Sequence, residues 1–138
     1  MMNLHRYAIC LFLVSFTMSS CSANDSIIPI REYPFKVDEK RKSEIIKSYS
    51  SLEIGMNKAH VLDLFGKPNA IKNIYNPFQM DEQTGDSFIY VIRKDSNEGS
   101  ELVKNEKNVR VFFDLNGSVV AAKAKGMDEL KPLLKKKG

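Results

Sequence analysis

The sequence predicts an α+β domain in which two N-terminal helices pack on one face of a three- to four-stranded antiparallel sheet. Three observations predict it. A short helix with both ends marked occupies residues 57–66, two runs rich in β-branched and aromatic residues follow at 88–93 and 109–113, and Asp114-Leu115-Asn116-Gly117 turns the chain back after the second run. Helices gathered ahead of strands, rather than alternating with them, favour an antiparallel sheet covered on one side.

The first helix begins at Asp38, a residue suited to accept hydrogen bonds from a first turn, and runs to about Tyr49 with Ile45, Ile46 and Tyr49 at helical spacing. Ser50 and Ser51 interrupt it, and Leu52, Ile54 and Met56 alternate through an extended connector. The second helix is better defined. Asn57 is placed to cap it, Val61, Leu62 and Phe65 form its apolar face, Gly66 can take the left-handed C′ conformation and Pro68 forbids continuation.

Beyond Pro68 the periodicity changes. Residues 70–75 suit a short strand, and 76–87, which contain Pro77 and Gly85, read as a loop. Tyr75 is expected to pack beneath that loop. Residues 88–93 are a strand by their Ile, Tyr and Val content, 95–107 are polar and loop-like, and 109–113 form a second strand that returns through 118–124. Val109, Val111 and Phe113 share one face, opposite Arg110, Phe112 and Asp114. Two turns fit between these strands. A two-residue type I′ turn pairs Phe113 with Val120, whereas a type I turn with Gly117 in the left-handed bulge position pairs Phe113 with Val119; the second is favoured because an Asp in the first position bonds forward to the backbone.

The N-terminus places the domain outside the cytoplasm. Residues 1–6 carry Arg6 and residues 7–18 are an uncharged apolar run, too short for a membrane-spanning helix and the right length for the core of a signal peptide. Met18-Ser19-Ser20-Cys21 resembles the lipobox recognised by the lipoprotein signal peptidase, with Met where Leu is usual. The resemblance implies cleavage before Cys21 and diacylglycerol on its sulfur. The only other cysteine, Cys10, lies within the discarded segment, so Cys21 has no intramolecular partner, and two or three acyl chains hold a protein stably where one does not. In bacteria resembling the enterobacterial type, Asp after the lipidated cysteine retains a lipoprotein at the inner membrane; Ser22 stands here, which points to the periplasmic face of the outer membrane. The organisation expected is therefore a signal peptide at 1–20, a tether or extended arm at 21–36, one domain at 37–126 and a basic tail at 127–138. Ile27, Ile28 and Ile30 are unusual in a pure spacer and suit packing onto the domain or a partner.

Charge narrows the partners. The chain has 21 Lys+Arg against 17 Asp+Glu, a net charge of +4. Loss of residues 1–20 removes only Arg6, and Lys131, Lys135, Lys136 and Lys137 supply four of the remaining positive charges, so the body before them is close to neutral. No basic stripe interleaved with aromatics runs through the body, and nucleic acid is not expected as a partner.

Chemistry is equally limited. His60 is the one histidine after cleavage and is expected on the solvent side of the second helix; with no cysteine beside it, it makes no zinc site. Asp81, Glu82 and Asp86 crowd the 76–87 loop, and Glu98 and Glu101 lie in the next one, without the spacing of a calcium loop or a recognisable catalytic pair. No catalytic residues, metal, cofactor or small-molecule substrate are expected. Phe78 and Met80 in the loop and Phe112 on the sheet face opposite the core are the candidate partner-binding residues, because exposed aromatics are enriched as interface anchors.

The order of these elements, helix, Gly55-Met56-Asn57-Lys58, a capped helix ending Phe65-Gly66-Lys67-Pro68, then strands closing on Phe113-Asp114-Leu115-Asn116-Gly117, resembles the small outer-membrane lipoproteins of the BamE (SmpA, OmlA) family. That family's pattern is Gly-Met-Thr-Lys, a valine-bearing helix, Leu-Gly-x-Pro, an aromatic strand and Phe-x-x-x-Gly. Gly55, Met56, Lys58, Val61, Phe65 and Gly66 match it, as do Pro68, Tyr90, Phe113 and Gly117, over residues 50–122. Asn57 stands in place of Thr, Phe88-Ile89-Tyr90 in place of Trp-x-Tyr, and the Gln-Gly-Asn motif that precedes the first helix in the family is absent. The resemblance implies a two-layer fold, also used by proteins similar to the secreted β-lactamase inhibitory protein. It implies a non-catalytic scaffold that docks to an envelope protein, in barrel assembly, secretion or envelope integrity. The alternative is an inhibitor that inserts loop 76–87, with Asp81 and Glu82, into the cleft of a periplasmic or host hydrolase.

Overall fold

A computed structural model describes residues 26–97 and 105–134. The elements in chain order are β1 (Phe35–Lys36), α1 (Glu39–Ser50), α2 (Lys58–Phe65), β2 (Ala70–Asn76), β3 (Gln79–Lys94), β4 (Lys107–Asp114), β5 (Val119–Lys125) and β6 (Leu133–Leu134). Every strand pairing is antiparallel, in the order β1-β3-β4-β5-β6, with β2 also on β3. Since β4 occupies one flank of β3, β1 and β2 share the other flank end to end. The described residues are thus α+β with two helices, and their sheet has six strands rather than three or four. The additions are β1 and β6, two residues each and too short to carry an alternation legible in sequence. Cys21, Glu98, Glu101 and Lys135–Lys137 lie outside the described residues. Among the described residues no helix is long and apolar enough to cross a membrane.

Both helix starts form as their cap residues require. The Asp38 carboxylate accepts from the Arg41 N–H at 2.7 Å and the Asn57 side chain from the His60 N–H at 2.8 Å. At the other end of α2 the last carbonyls, which have no partner within a helix, are met by side chains of neighbouring elements. Ser48 Oγ donates to Leu64 O (2.6 Å), Arg41 Nη2 to Phe65 O (2.5 Å) and the Tyr90 hydroxyl to Gly66 O (3.1 Å). Arg41 also sets a cation at the negative end of the helix dipole. Gly66 has φ 75° and ψ −164°, so the chain leaves the helix extended instead of making the left-handed turn expected.

The helices cover one face of the sheet. Ile45 and Tyr49 of α1 and Val61 and Phe65 of α2 pack with Phe88, Tyr90 and Ile92 of β3 and with the inward residues of β4, all buried. Phe65 stacks on Tyr90 with ring centroids 4.7 Å apart, and Phe88 meets Phe113 edge-on at the same distance. On β4 the buried positions are Val109, Val111 and Phe113, the predicted inward set.

The β4–β5 turn takes the bulged form. Phe113 pairs with Val119, Gly117 has φ 75°, and Asp114 Oδ1 accepts from the N–H groups of Asn116 and Ser118 at 2.9 and 3.0 Å. The chain before α2 is bonded to this turn: Gly55 N–H donates to Val119 O, Val119 N–H to Met56 O, and Lys58 N–H to Gly117 O, at 2.8, 2.8 and 3.1 Å. Two segments conspicuous in sequence, Gly55–Lys58 and Asp114–Gly117, therefore meet in space.

The described part of the arm is knitted to the sheet at Ile28. Ile28 N–H donates to Pro68 O at 2.8 Å, and Asn69 bridges arm and sheet by donating to Ile28 O (3.0 Å) while accepting from Val91 N–H (2.7 Å). Ile28 itself remains 57% exposed. At the other end, the segment read as a tail begins with packed chain. Met127 is buried in the core, and β6 pairs Leu133 and Leu134 with Ala122 and Ala121.

Candidate functional site

Residues 76–87, expected as a loop, are instead the outer half of a β-hairpin. Asn76 pairs with Gln79, so Pro77 and Phe78 alone make the turn, and β3 continues from Gln79 without a break. Asn76 organises it locally: its Oδ1 accepts from the Phe78 N–H at 3.0 Å and its Nδ2 donates to Glu82 at 2.9 Å. Register shifts at Ile74, Tyr75 and Asn76 mark bulges that bend the hairpin. Residues 79–84 are exposed at every position, because this part projects past the helices and has no core to face. Without a buried side there is no alternation, which is why the stretch resembles a loop in sequence. The projection ends in apolar side chains: Phe78 is 93% exposed and Met80 82%. Tyr75, expected to pack beneath a loop, is exposed on β2. Asp81 and Glu82 are exposed beside them.

Phe112 lies on a different surface, the sheet face turned away from the helices. It pairs with Ser87 on one side and Ala121 on the other, about 20 Å by strand rise from Met80. The three predicted binding residues thus form two patches. The Phe112 ring is half-buried beside two cations, with the Arg110 guanidinium carbon 4.8 Å and the Lys123 ammonium 5.5 Å from its centroid. Arg110 Nε donates to the buried Ser87 hydroxyl at 2.9 Å. Partial burial lowers the Arg110 pKa from its usual value, a direction that leaves a guanidinium charged at neutral pH. Lys123 stands directly opposite Arg110 across β4 and β5. Sequence placed Arg110 and Phe112 on one face by alternation, but Lys123 joins them only through the register that the bulged turn sets.

Asp86 is not a solvated loop carboxylate. It sits on the helix-covered side of β3 and pairs with the Lys58 ammonium, which also lies 5.9 and 5.5 Å from the ring centroids of Phe88 and Phe113. This pair holds α2 to the sheet. His60 is exposed on α2, and no group of three His, Cys, Asp or Glu suited to a metal occurs among the described residues. Cys21, the expected lipidation site, lies outside them.

Comparison with protein-family models and with curated proteins yields no match to this chain.

Proposed function

We propose that the chain is a lipoprotein, anchored through acylated Cys21 at the periplasmic face of the outer membrane, whose domain is a non-catalytic docking module with a BamE-like two-layer fold. In this reading the β2–β3 hairpin is the docking element and the partner is an envelope protein, in barrel assembly or envelope integrity. The observation that carries it is the exposure of Phe78 and Met80 at the end of a projecting hairpin. Large side chains left in water at the tip of an ordered element suit insertion into a partner's pocket, where aromatic anchors contribute most of the binding free energy. The pairing of Gln79, Gln83 and Gly85 with β2 supports this role by tying the tip to the sheet before contact.

The test is crosslinking and capture from envelopes with the tagged chain and its Phe78→Ser/Met80→Ser variant. An envelope protein recovered by the wild type and lost with the variant supports the proposal. Equal recovery by both, or no partner above background, overturns it. The same projecting hairpin also suits an inhibitor that fills a hydrolase cleft; nanomolar inhibition of a periplasmic or host hydrolase, abolished by Phe78→Ser, would establish that reading instead.

A further inference from the structure

The sheet face turned away from the helices is built from rows of register partners. One row runs Ala70, Ile89, Arg110, Lys123 and the next Lys72, Ser87, Phe112, Ala121, with Leu134 of β6 opposite Ala121. Arg110 and Lys123 are thus a directly opposed cross-strand pair of like charge, an arrangement that destabilises a sheet. No carboxylate neutralises it: among the described residues none lies within ion-pair distance of Arg110, Lys123 or Lys72.

Arg110 is nevertheless fixed in place. Its Nε is bonded to Ser87 Oγ, which is itself buried and bonded to Lys72 O at 3.3 Å, and its guanidinium lies over the Phe112 ring. That leaves both terminal guanidinium nitrogens without a hydrogen-bond partner among the described residues. A guanidinium oriented by a ring and a buried hydroxyl, with its fork free and a second cation beside it, is organised for a carboxylate.

We propose that Arg110 and Lys123 bind an Asp or Glu carboxylate from an acidic segment of a protein partner, with an apolar neighbour of that residue packed against Phe112, Ala121 and Leu134. The inference rests on the reading of the domain as a protein-docking module and adds to it a second contact surface and its charge preference. Charge complementarity selects an anion, and two features select a polypeptide among anions. The Phe112 ring already has two cations over it, whereas base recognition uses an open ring face for stacking. The hairpin projecting from the same sheet has exposed Asp81 and Glu82 and no Lys or Arg between residues 73 and 92, so it resists the approach of this face to an anionic bilayer.

The experiment titrates the purified full-length chain in neutral detergent with a fluorescein-labelled peptide of alternating Glu and Leu, with a Gln and Leu peptide as control. The proposal expects saturable, salt-sensitive binding of the acidic peptide alone. Loss of one charged contact should weaken it by about tenfold or more in Arg110→Gln and in Lys123→Gln. Lys123 is exposed, so its variant keeps the test valid if Arg110→Gln fails to fold. Phe78→Ser should leave this binding unchanged, which separates failure of this site from failure of the hairpin. Affinities within twofold of wild type in both charge variants would overturn the proposal. So would tighter, Arg110-dependent binding of phosphatidylglycerol vesicles or of single-stranded RNA, which would assign the site to phosphate.

Discussion

The Lys58 ammonium is bonded to the Asp86 carboxylate on the helix-covered side of the sheet, beside the rings of Phe88 and Phe113, and so ties the first turn of α2 to the long strand β3. The two ends of this pair differ in exposure. The Lys58 side chain is 37% exposed and Asp86 only 16%, and the second Asp86 oxygen is buried without a partner among the described residues. Lys58→Ala therefore strands a carboxylate that has little access to water, while Asp86→Ala frees an ammonium that can turn outward. The first should cost about 2–3 kcal/mol and the second about 1 kcal/mol. Urea denaturation of the two variants checks the order, and a larger loss for Asp86→Ala would contradict it.

A second prediction concerns the opposed cations Arg110 and Lys123. Lys123→Glu converts a like-charged cross-strand pair into an oppositely charged one on an exposed face. It should raise stability by about 0.2–1 kcal/mol. The same change should abolish binding of the acidic peptide, so stability and binding move in opposite directions. An unchanged or lowered unfolding midpoint would show that the pair carries no repulsive strain. This joint outcome distinguishes a site held for binding from one that merely decorates a surface.

The third prediction is set at Gly85, where the hairpin leaves the packed sheet. A Cβ built there would lie 2.0 Å from the Phe113 carbonyl oxygen and 3.1 Å from its carbon, both backbone atoms that cannot rotate aside. Gly85→Ala must push β3 away from β4, at a cost of about 2–3 kcal/mol typical of overpacking. Because the hairpin arises at this point, the variant should also change the amide spectrum of residues 79–84, which heteronuclear NMR would detect. A stability within 0.5 kcal/mol of wild type, well inside the noise of a surface change, would contradict the close approach.

How much of this was legible beforehand follows from which forces act on each residue. Asp38, Asn57 and the bulged turn at Gly117 were readable because caps and turns are decided within a few residues of chain. Val109, Val111 and Phe113 were readable because one side of β4 faces a core and the other does not. The hairpin was not, because residues 79–84 are exposed on both faces and the alternation that marks a strand comes from burial. Asp86 was placed in the same loop for a different reason: its partner Lys58 is 28 residues away, and only the seating of α2 against the sheet brings them together. Of the candidate binding residues, Phe78, Met80 and Phe112 were named from sequence, whereas the role of Lys123 depended on a cross-strand register.

The last prediction is a pH dependence carried by Tyr90 and Tyr49. Burial raises the Tyr90 pKa well above its usual value of 10.0, with the nearby Arg41 charge acting weakly in the opposite sense. Burial likewise raises Tyr49, whose hydroxyl donates to Ala122 O at 3.2 Å and Lys131 O at 2.8 Å. In the unfolded chain both phenols ionise near pH 10, while in the folded protein they remain neutral above it. The unfolded state then binds fewer protons than the native one, so stability falls with rising pH. The contribution is fully present below about pH 10 and is lost as pH rises from there toward the folded pKa values. Urea midpoints measured from pH 8 to 11.5 should stay level with respect to these groups up to about 9.5 and then decline. Tyr90→Phe removes the hydrogen bond to Gly66 O and should cost about 1 kcal/mol at pH 8. It also removes one of the two titrating groups, so its decline above pH 10 should be shallower than that of the wild type. Parallel curves for the two proteins would mean that Tyr90 ionises alike in the folded and unfolded states, and that its bond to the end of α2 does not restrain its proton.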